Sequence, residues 1–115
     1  MMVPRSIVAA DKLMKDTGID VEVIDVRSLV PLDMQTINAS VKKTGRLFTV
    51  EENPRLCGWG AEIASIVADE LFWSLDGPIV RITTPHMPLP AADNLEDITI
   101  PSVDRIYSKV KQVLK

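Results

Sequence analysis

The feature that most constrains this chain is the alternation of short β-branched runs with longer amphipathic stretches. The runs are Val21-Glu-Val-Ile-Asp-Val26, Leu47-Phe-Thr-Val50 and Ile79-Val-Arg-Ile-Thr83. Strands and helices that alternate through short connections build parallel sheets with right-handed crossovers. The end of the first run is almost continuously apolar, as in a strand covered on both faces. The order therefore predicts an α/β domain with a mainly parallel sheet between helices.

The intervening segments carry the marks of helices. Pro4 to Met14 places Ile7, Val8, Leu13 and Met14 on one broad apolar stripe, with Pro4 in a first turn and Asp16-Thr17-Gly18 as terminators. Asp33 is a candidate N-cap for a helix that aligns Ile37 with Val41, carries Lys42 and Lys43 at its carboxyl pole and leaves at Gly45. A third helix carries Ile63, Ile66, Val67, Glu70 and Leu71. A last one, opened by Pro101-Ser102, repeats Val103, Ile106, Tyr107, Val110, Val113 and Leu114 at helical spacing. Asp76-Gly77-Pro78 reads as a tight turn, and the three prolines of Thr84 to Pro90 lack ladder donors, which predicts an irregular loop of polyproline character.

One element is out of place. The chain opens on a helix with no strand before it, and three strands are visible where a sheet usually has about four to six. The expectation is that the chain is a fragment, or that another chain supplies sheet or covering surface. At 115 residues, 46% hydrophobic and 25% charged, it has the bulk for one domain with its own core and lies outside the disordered range. No window approaches the roughly 20 apolar residues of a membrane span, and Asp11 and Lys12 interrupt the start where a signal peptide would be apolar. A soluble chain is expected, with no membrane partner. A net charge of -3 lacks the basic footprint of a phosphate-backbone binder, so no nucleic acid partner is expected. Cys57 is the sole cysteine, which excludes an intrachain disulfide and a thiolate zinc centre.

Carboxyl ends of parallel strands usually form the ligand-facing rim, so three segments become candidates: Asp25 to Ser28, Glu51 to Gly60, and Thr84 to Pro90. Gly58-Trp59-Gly60 before a helix is able to expose amides to an anion. The neighbouring Glu51, Glu52 and Glu62 oppose a phosphate, and a tight strand-to-helix turn explains the glycines without one. Trp59 is read as a packing or interface side chain. His86, the sole histidine, would need an orienting partner for proton transfer and gathered carboxylates for metal binding; the alternative is a packing or surface role. Helix amides beside Cys57 would favour its thiolate, but no base is identifiable. Asp25, Glu51 and Glu52 suit either an acid/base constellation or ordinary caps and solvated charge. All of these, Asp25, Glu51, Glu52, Cys57, Gly58, Trp59, Gly60, Glu62 and His86, are carried forward as candidate interface or ligand-rim positions. No catalytic, cofactor-binding or metal-binding residue is assigned.

Ordered blocks then bring in a resemblance. Val21 to Asp33, Thr36-Ile37, Ser40 to Arg46, Val50-Glu-Glu52, Gly58-Trp-Gly-Ala-Glu-Ile63, Leu75-Asp-Gly-Pro78, Met87-Pro-Leu-Pro90, Leu95-Glu96 and Pro101 to Ile106 resemble the C-terminal transketolase-like domain of the beta subunit of thiamine-diphosphate-dependent 2-oxo acid dehydrogenases. Pyruvate, branched-chain and acetoin types share these blocks. The resemblance implies a three-layer domain lacking its N-terminal strand or strands, the absent one lying between those of Val21–Val26 and Leu47–Val50. It implies an alpha subunit, a second beta subunit and a dihydrolipoyl acyltransferase core as partners. Thiamine diphosphate and Mg would belong to the complete enzyme and no cofactor to this domain alone. The family's activating glutamate and principal beta-subunit histidine precede this region, so Glu51 and His86 inherit neither role. His86 also stands where relatives usually have an acidic residue, and Ala91 where an aromatic is common. The implied role is assembly and partner docking in an enzyme that decarboxylates a 2-oxo acid and passes the acyl unit to lipoamide. The compartment would be the cytoplasm of a bacterium or the mitochondrial matrix of a eukaryote. The competing expectation is a stand-alone regulatory domain that binds a small anion or metabolite.

Overall fold

In the computed structural model, which describes residues 1–88 and 90–114, the elements follow one another as α1 (Met2–Thr17), α2 (Met34–Thr44), β1 (Phe48–Pro54), α3 (Gly60–Glu70), a 3-10 turn (Phe72–Ser74), β2 (Val80–Thr84), α4 (Asp93–Thr99) and α5 (Val103–Val113). Local chemistry sets several boundaries. Asp33 accepts hydrogen bonds from the Thr36 amide at 3.0 Å and the Thr36 hydroxyl at 2.6 Å, and Ser102 accepts from the Arg105 amide at 3.2 Å. Each thereby satisfies a donor that a helix start leaves free. Gly18 and Gly45 close α1 and α2 at φ 72° and 68°, a left-handed conformation that favours glycine.

Strands β1 and β2 are parallel, with Phe48 opposite Val80, Thr49 opposite Arg81 and Val50 opposite Ile82. Alternation along them distributes side chains to two helical layers. Phe48, Val50, Val80 and Ile82 join Ala9 and Leu13 of α1 and Ile106 and Val110 of α5 in one cluster. Leu47 and Ile79 pack against a second, formed by Ile37, Val41, Ile63, Val67 and Leu71 from α2, α3 and the residue that follows α3. The result is the expected three-layer α/β arrangement.

The structure corrects the reading of individual elements. Val21–Val26 is no strand of the sheet; two strands form the only ladder among the described residues. The segment still behaves as extended chain, for Val21 packs on the first cluster and Ile24 and Val26 on the second. What it lacks is a neighbour in the plane of the sheet. On α1, Ala9 and Leu13 are buried while Ile7, Val8 and Met14 are about half exposed, so the face on α5 is not centred on the expected stripe. Strand β1 runs on to Pro54, past the expected end at Val50, with an irregular register after Val50. Helix α4, with no buried residue, gave no apolar period to read. In the predicted Thr84–Pro90 loop, Thr84 closes β2, Pro85 to Pro88 is irregular, and Leu89 lies outside the described residues.

Candidate functional site

Two features occupy the carboxyl end of the sheet. The first is a charged junction built on the face of β1 opposite Phe48 and Val50. Positions 49 and 51 point to the same side, and the pairing of Thr49 with Arg81 brings the guanidinium of β2 beside them. Glu51 is 1% exposed. Arg81 Nη2 donates to Glu51 Oε1 at 2.9 Å and to the Arg55 carbonyl at 2.9 Å, and the Gly60 amide donates to Glu51 Oε2 at 3.1 Å. A buried carboxylate is tolerable only when paired and hydrogen-bonded in this way. The ion pair therefore fastens the loop after β1 and the start of α3 to both strands.

The glycines flanking Trp59 follow from that junction. A Cβ at Gly60 would lie 2.6 Å from Glu51 Oε1 and 2.7 Å from Thr49 Oγ1, and one at Gly58 would lie 2.7 Å from Glu51 Oε2. Both positions need glycine because the carboxylate sits against the turn. Cys57 is exposed at φ 57°, an uncommon conformation for a residue with a Cβ. Glu62 is exposed in the first turn of α3, and His86 is exposed beyond β2. The structure gathers Asp25, Glu51, Glu52 and Trp59 around one cavity, sets Gly58 and Gly60 behind Glu51, and leaves Cys57, Glu62 and His86 off its walls.

That cavity is the second feature. It measures about 670 Å³ and opens between Ile19–Val26 on one side and Leu47–Asn53 on the other. Ala9, Leu13 and Val110 line it from one helical layer, and Ile37, Val41 and Ile63 from the other. It is thus a slot in the plane of the sheet with apolar walls above and below. Carboxylates crowd its mouth: Asp25, held by Arg27 Nε at 3.2 Å, and Glu52, 3.5 Å from the amino group of Met1.

These residues do not fit thiamine diphosphate with Mg. The slot is largely apolar, its carboxylates (Asp20, Glu22, Asp25, Glu51 and Glu52) outnumber the cations Arg46 and the Met1 ammonium, and no group of three or more His, Cys, Asp and Glu among the described residues is placed to hold a metal ion. No helix among the described residues is long and apolar enough to cross a membrane.

Sequence reasoning missed Arg81. The available signal was a lone charge between Val80 and Ile82 in a strand with apolar neighbours, which demands a partner. Nothing in the order of residues named Glu51 as that partner.

Comparison with known proteins matches residues 1–106 to the transketolase C-terminal domain. The beta-2 subunit of the pyruvate dehydrogenase E1 component of Oryza sativa subsp. japonica, a mitochondrial protein, is 49% identical over 96% of this chain and 29% of its own length. The corresponding beta subunit of Rickettsia conorii is 47% identical over 90% of this chain and 32% of its own. The beta subunit of acetoin:2,6-dichlorophenolindophenol oxidoreductase of Cupriavidus necator is 39% identical over 100% and 34%. The chain therefore spans about a third of the length of these relatives. A solved structure described as a split-gene transketolase in an inactive beta4 tetramer superposes with a TM-score of 0.77 at 24% identity, covering 98% of this chain and 35% of that one.

Proposed function

Because the chain belongs to the transketolase C-terminal domain family, we propose that it is the C-terminal assembly and docking domain of the beta subunit of a 2-oxo acid dehydrogenase decarboxylating component. The carrying observation is identity of 39 to 49% over nearly the whole chain to beta subunits of pyruvate- and acetoin-oxidising enzymes. In this reading the chain is one part of a longer beta subunit, which pairs with an alpha subunit and a second beta subunit. Thiamine diphosphate and Mg are held elsewhere in that assembly and supply the decarboxylation chemistry. The acyl unit passes to lipoamide on a dihydrolipoyl acyltransferase core.

The geometry supports a structural role in that assembly. Glu51 is consumed by its pairing with Arg81, and among the described residues neither Cys57 nor His86 is hydrogen-bonded to a base or acid. The surface offers Trp73, 95% exposed, with the ring of Phe72 edge-on at 5.1 Å. Aromatic surface of this kind is what protein interfaces use. A small-anion regulatory role has less support, since carboxylates outnumber cations in the cavity lining.

The test is reconstitution. The chain is co-expressed with an alpha subunit and the thiamine-binding portion of a related beta subunit, and 2-oxo acid decarboxylation is assayed with each component omitted in turn. Activity that requires all three supports the proposal. A stable chain that joins neither component, yet saturably binds a metabolite by itself, overturns it.

A further inference from the structure

The turn that follows α3 presents two aromatic rings to solvent, and we infer that Phe72 and Trp73, with the carboxylates of Asp69 and Glu70, form a docking surface for a cationic, arginine-bearing segment of a partner protein. The inference rests on the docking role proposed above and names the chemistry of the partner. Trp73 is 95% and Phe72 58% exposed, and the backbone beneath them is braced on both sides. Leu71 belongs to the second apolar cluster and Leu75 packs on it. The Ser74 amide donates to the Leu71 carbonyl at 2.9 Å, the Leu75 amide to the Phe72 carbonyl at 3.2 Å, and the Asp76 amide to the Gly45 carbonyl at 2.8 Å. The rings meet edge to face with centroids 5.1 Å apart. Aromatic surface on a backbone with little freedom left to lose is what an interface hot spot uses.

Charge selects the occupant. Helix α3 ends on Asp69 and Glu70, both exposed, and has no basic residue in its last turn. A helix carboxyl end already carries partial negative charge, so two carboxylates there cost stability unless a cation answers them. Neither joins an ion pair among the described residues. Glu70 accepts from a neutral group, the Asn38 side-chain amide, at 2.9 Å, and Arg46, which lies against Gly77, pairs with neither carboxylate. Trp73 follows Asp69 and Glu70 within a few residues, and indole is the best cation–π surface among side chains. Negative charge beside an exposed aromatic face fits a guanidinium, which stacks through its plane and donates to carboxylate through its edge. A second copy of this chain fits poorly, because a two-fold contact would set each patch against itself and like charges against each other.

The full chain is titrated with the acetylated and amidated peptide Ala-Arg-Ala-Arg-Ala-Arg-Ala while its two indole N–H signals are followed by NMR. The Trp73 signal is the one that Trp73→Ala removes, and affinity is read from the backbone amides of Leu71, Ser74 and Asp76, which every variant keeps. The peptide is expected to shift the Trp73 signal saturably and to leave that of Trp59 in place. Trp73→Ala deletes an exposed side chain and spares the core; it is expected to weaken binding at least about tenfold. Asp69→Asn combined with Glu70→Gln is expected to do the same, and added salt to weaken the unsubstituted complex. Asp93→Asn combined with Glu96→Gln removes equal charge from α4 and is expected to change affinity by less than about twofold. A loss from that control as large as from the Asp69 and Glu70 pair would overturn the inference, because it would show a polycation adhering to an acidic chain. Binding that leaves the Trp73 signal unmoved, or no binding at all, would overturn it too. So would concentration-dependent broadening of the Trp73 signal in the chain alone, which would assign the surface to a second copy. The titration involves neither alpha subunit nor turnover, so its failure and a failed reconstitution are told apart.

Discussion

At Glu51 a single side chain fixes the geometry of a whole strand-to-helix turn. Its two oxygens are held by Arg81 and by the Gly60 amide, so removing it strands a guanidinium whose side chain is mostly buried. Glu51→Ala should destabilise the chain by about 3–5 kcal/mol, read as a lower urea midpoint. Glu51→Gln, which retains an acceptor for Gly60 but not the charge, should lose less; equal losses would mean that the charge carries the whole effect and the acceptor none of it. Gly60→Ala and Gly18→Ala separate two kinds of glycine requirement. At Gly60 the new methyl meets the Glu51 carboxylate and Thr49 Oγ1, an overpacking cost of about 1–3 kcal/mol. At Gly18 nothing lies within 4 Å and the cost is the left-handed backbone alone, about 1 kcal/mol. A larger loss at Gly18 would contradict that assignment. Glu51 and both loop glycines were visible in the sequence as candidates. Their common cause was not, because the ion pair joins residues thirty positions apart and depends on the register of two strands.

At the scale of elements, capped helices were the most legible part of the fold, since their signals are local. Asp33, Gly45 and Ser102 each end or begin a helix where the sequence placed the boundary. Hydrogen bonds from the Thr36 hydroxyl, and then from the Thr36 amide, hold the Asp33 carboxyl below its ordinary value of 3.8. A carboxyl lowered in the folded state stabilises fully above its unfolded-state value and loses that contribution as pH falls through the lower folded-state value. The start of α2 should therefore weaken below about pH 4. Asp33→Asn should keep the cap without that titration, giving a flatter acid limb in pH-dependent unfolding. Replacing the uncharged cap, Ser102→Ala, should cost about 1 kcal/mol at every pH. Strand reading was less complete for a physical reason. Pattern shows that Val21–Val26 is extended and covered on both faces, but a ladder needs a partner, and a partner is not a property of the segment itself. Helix α1 was placed well and its buried face in part: Leu13 of the expected stripe is buried, but Ala9 joins it in the cluster with α5 while Ile7, Val8 and Met14 stay about half exposed.

Across the whole molecule, the slot divides what a closed sheet would join. One apolar cluster gathers α1, α5 and the outer faces of both strands; the other gathers α2, α3 and Leu71. Buried side chains in direct contact couple energetically, while those in separate clusters with no shared partner do not. Ile106 belongs to the first cluster and Ile63 to the second. Ile106→Val and Ile63→Val should each lose about 1 kcal/mol, and with the slot open the double variant should equal the sum within about 0.5 kcal/mol. Equilibrium unfolding of the four chains measures this directly. Additivity would show that the two halves respond independently, as the geometry requires. A coupling above about 1 kcal/mol would mean that the halves have closed on each other in solution.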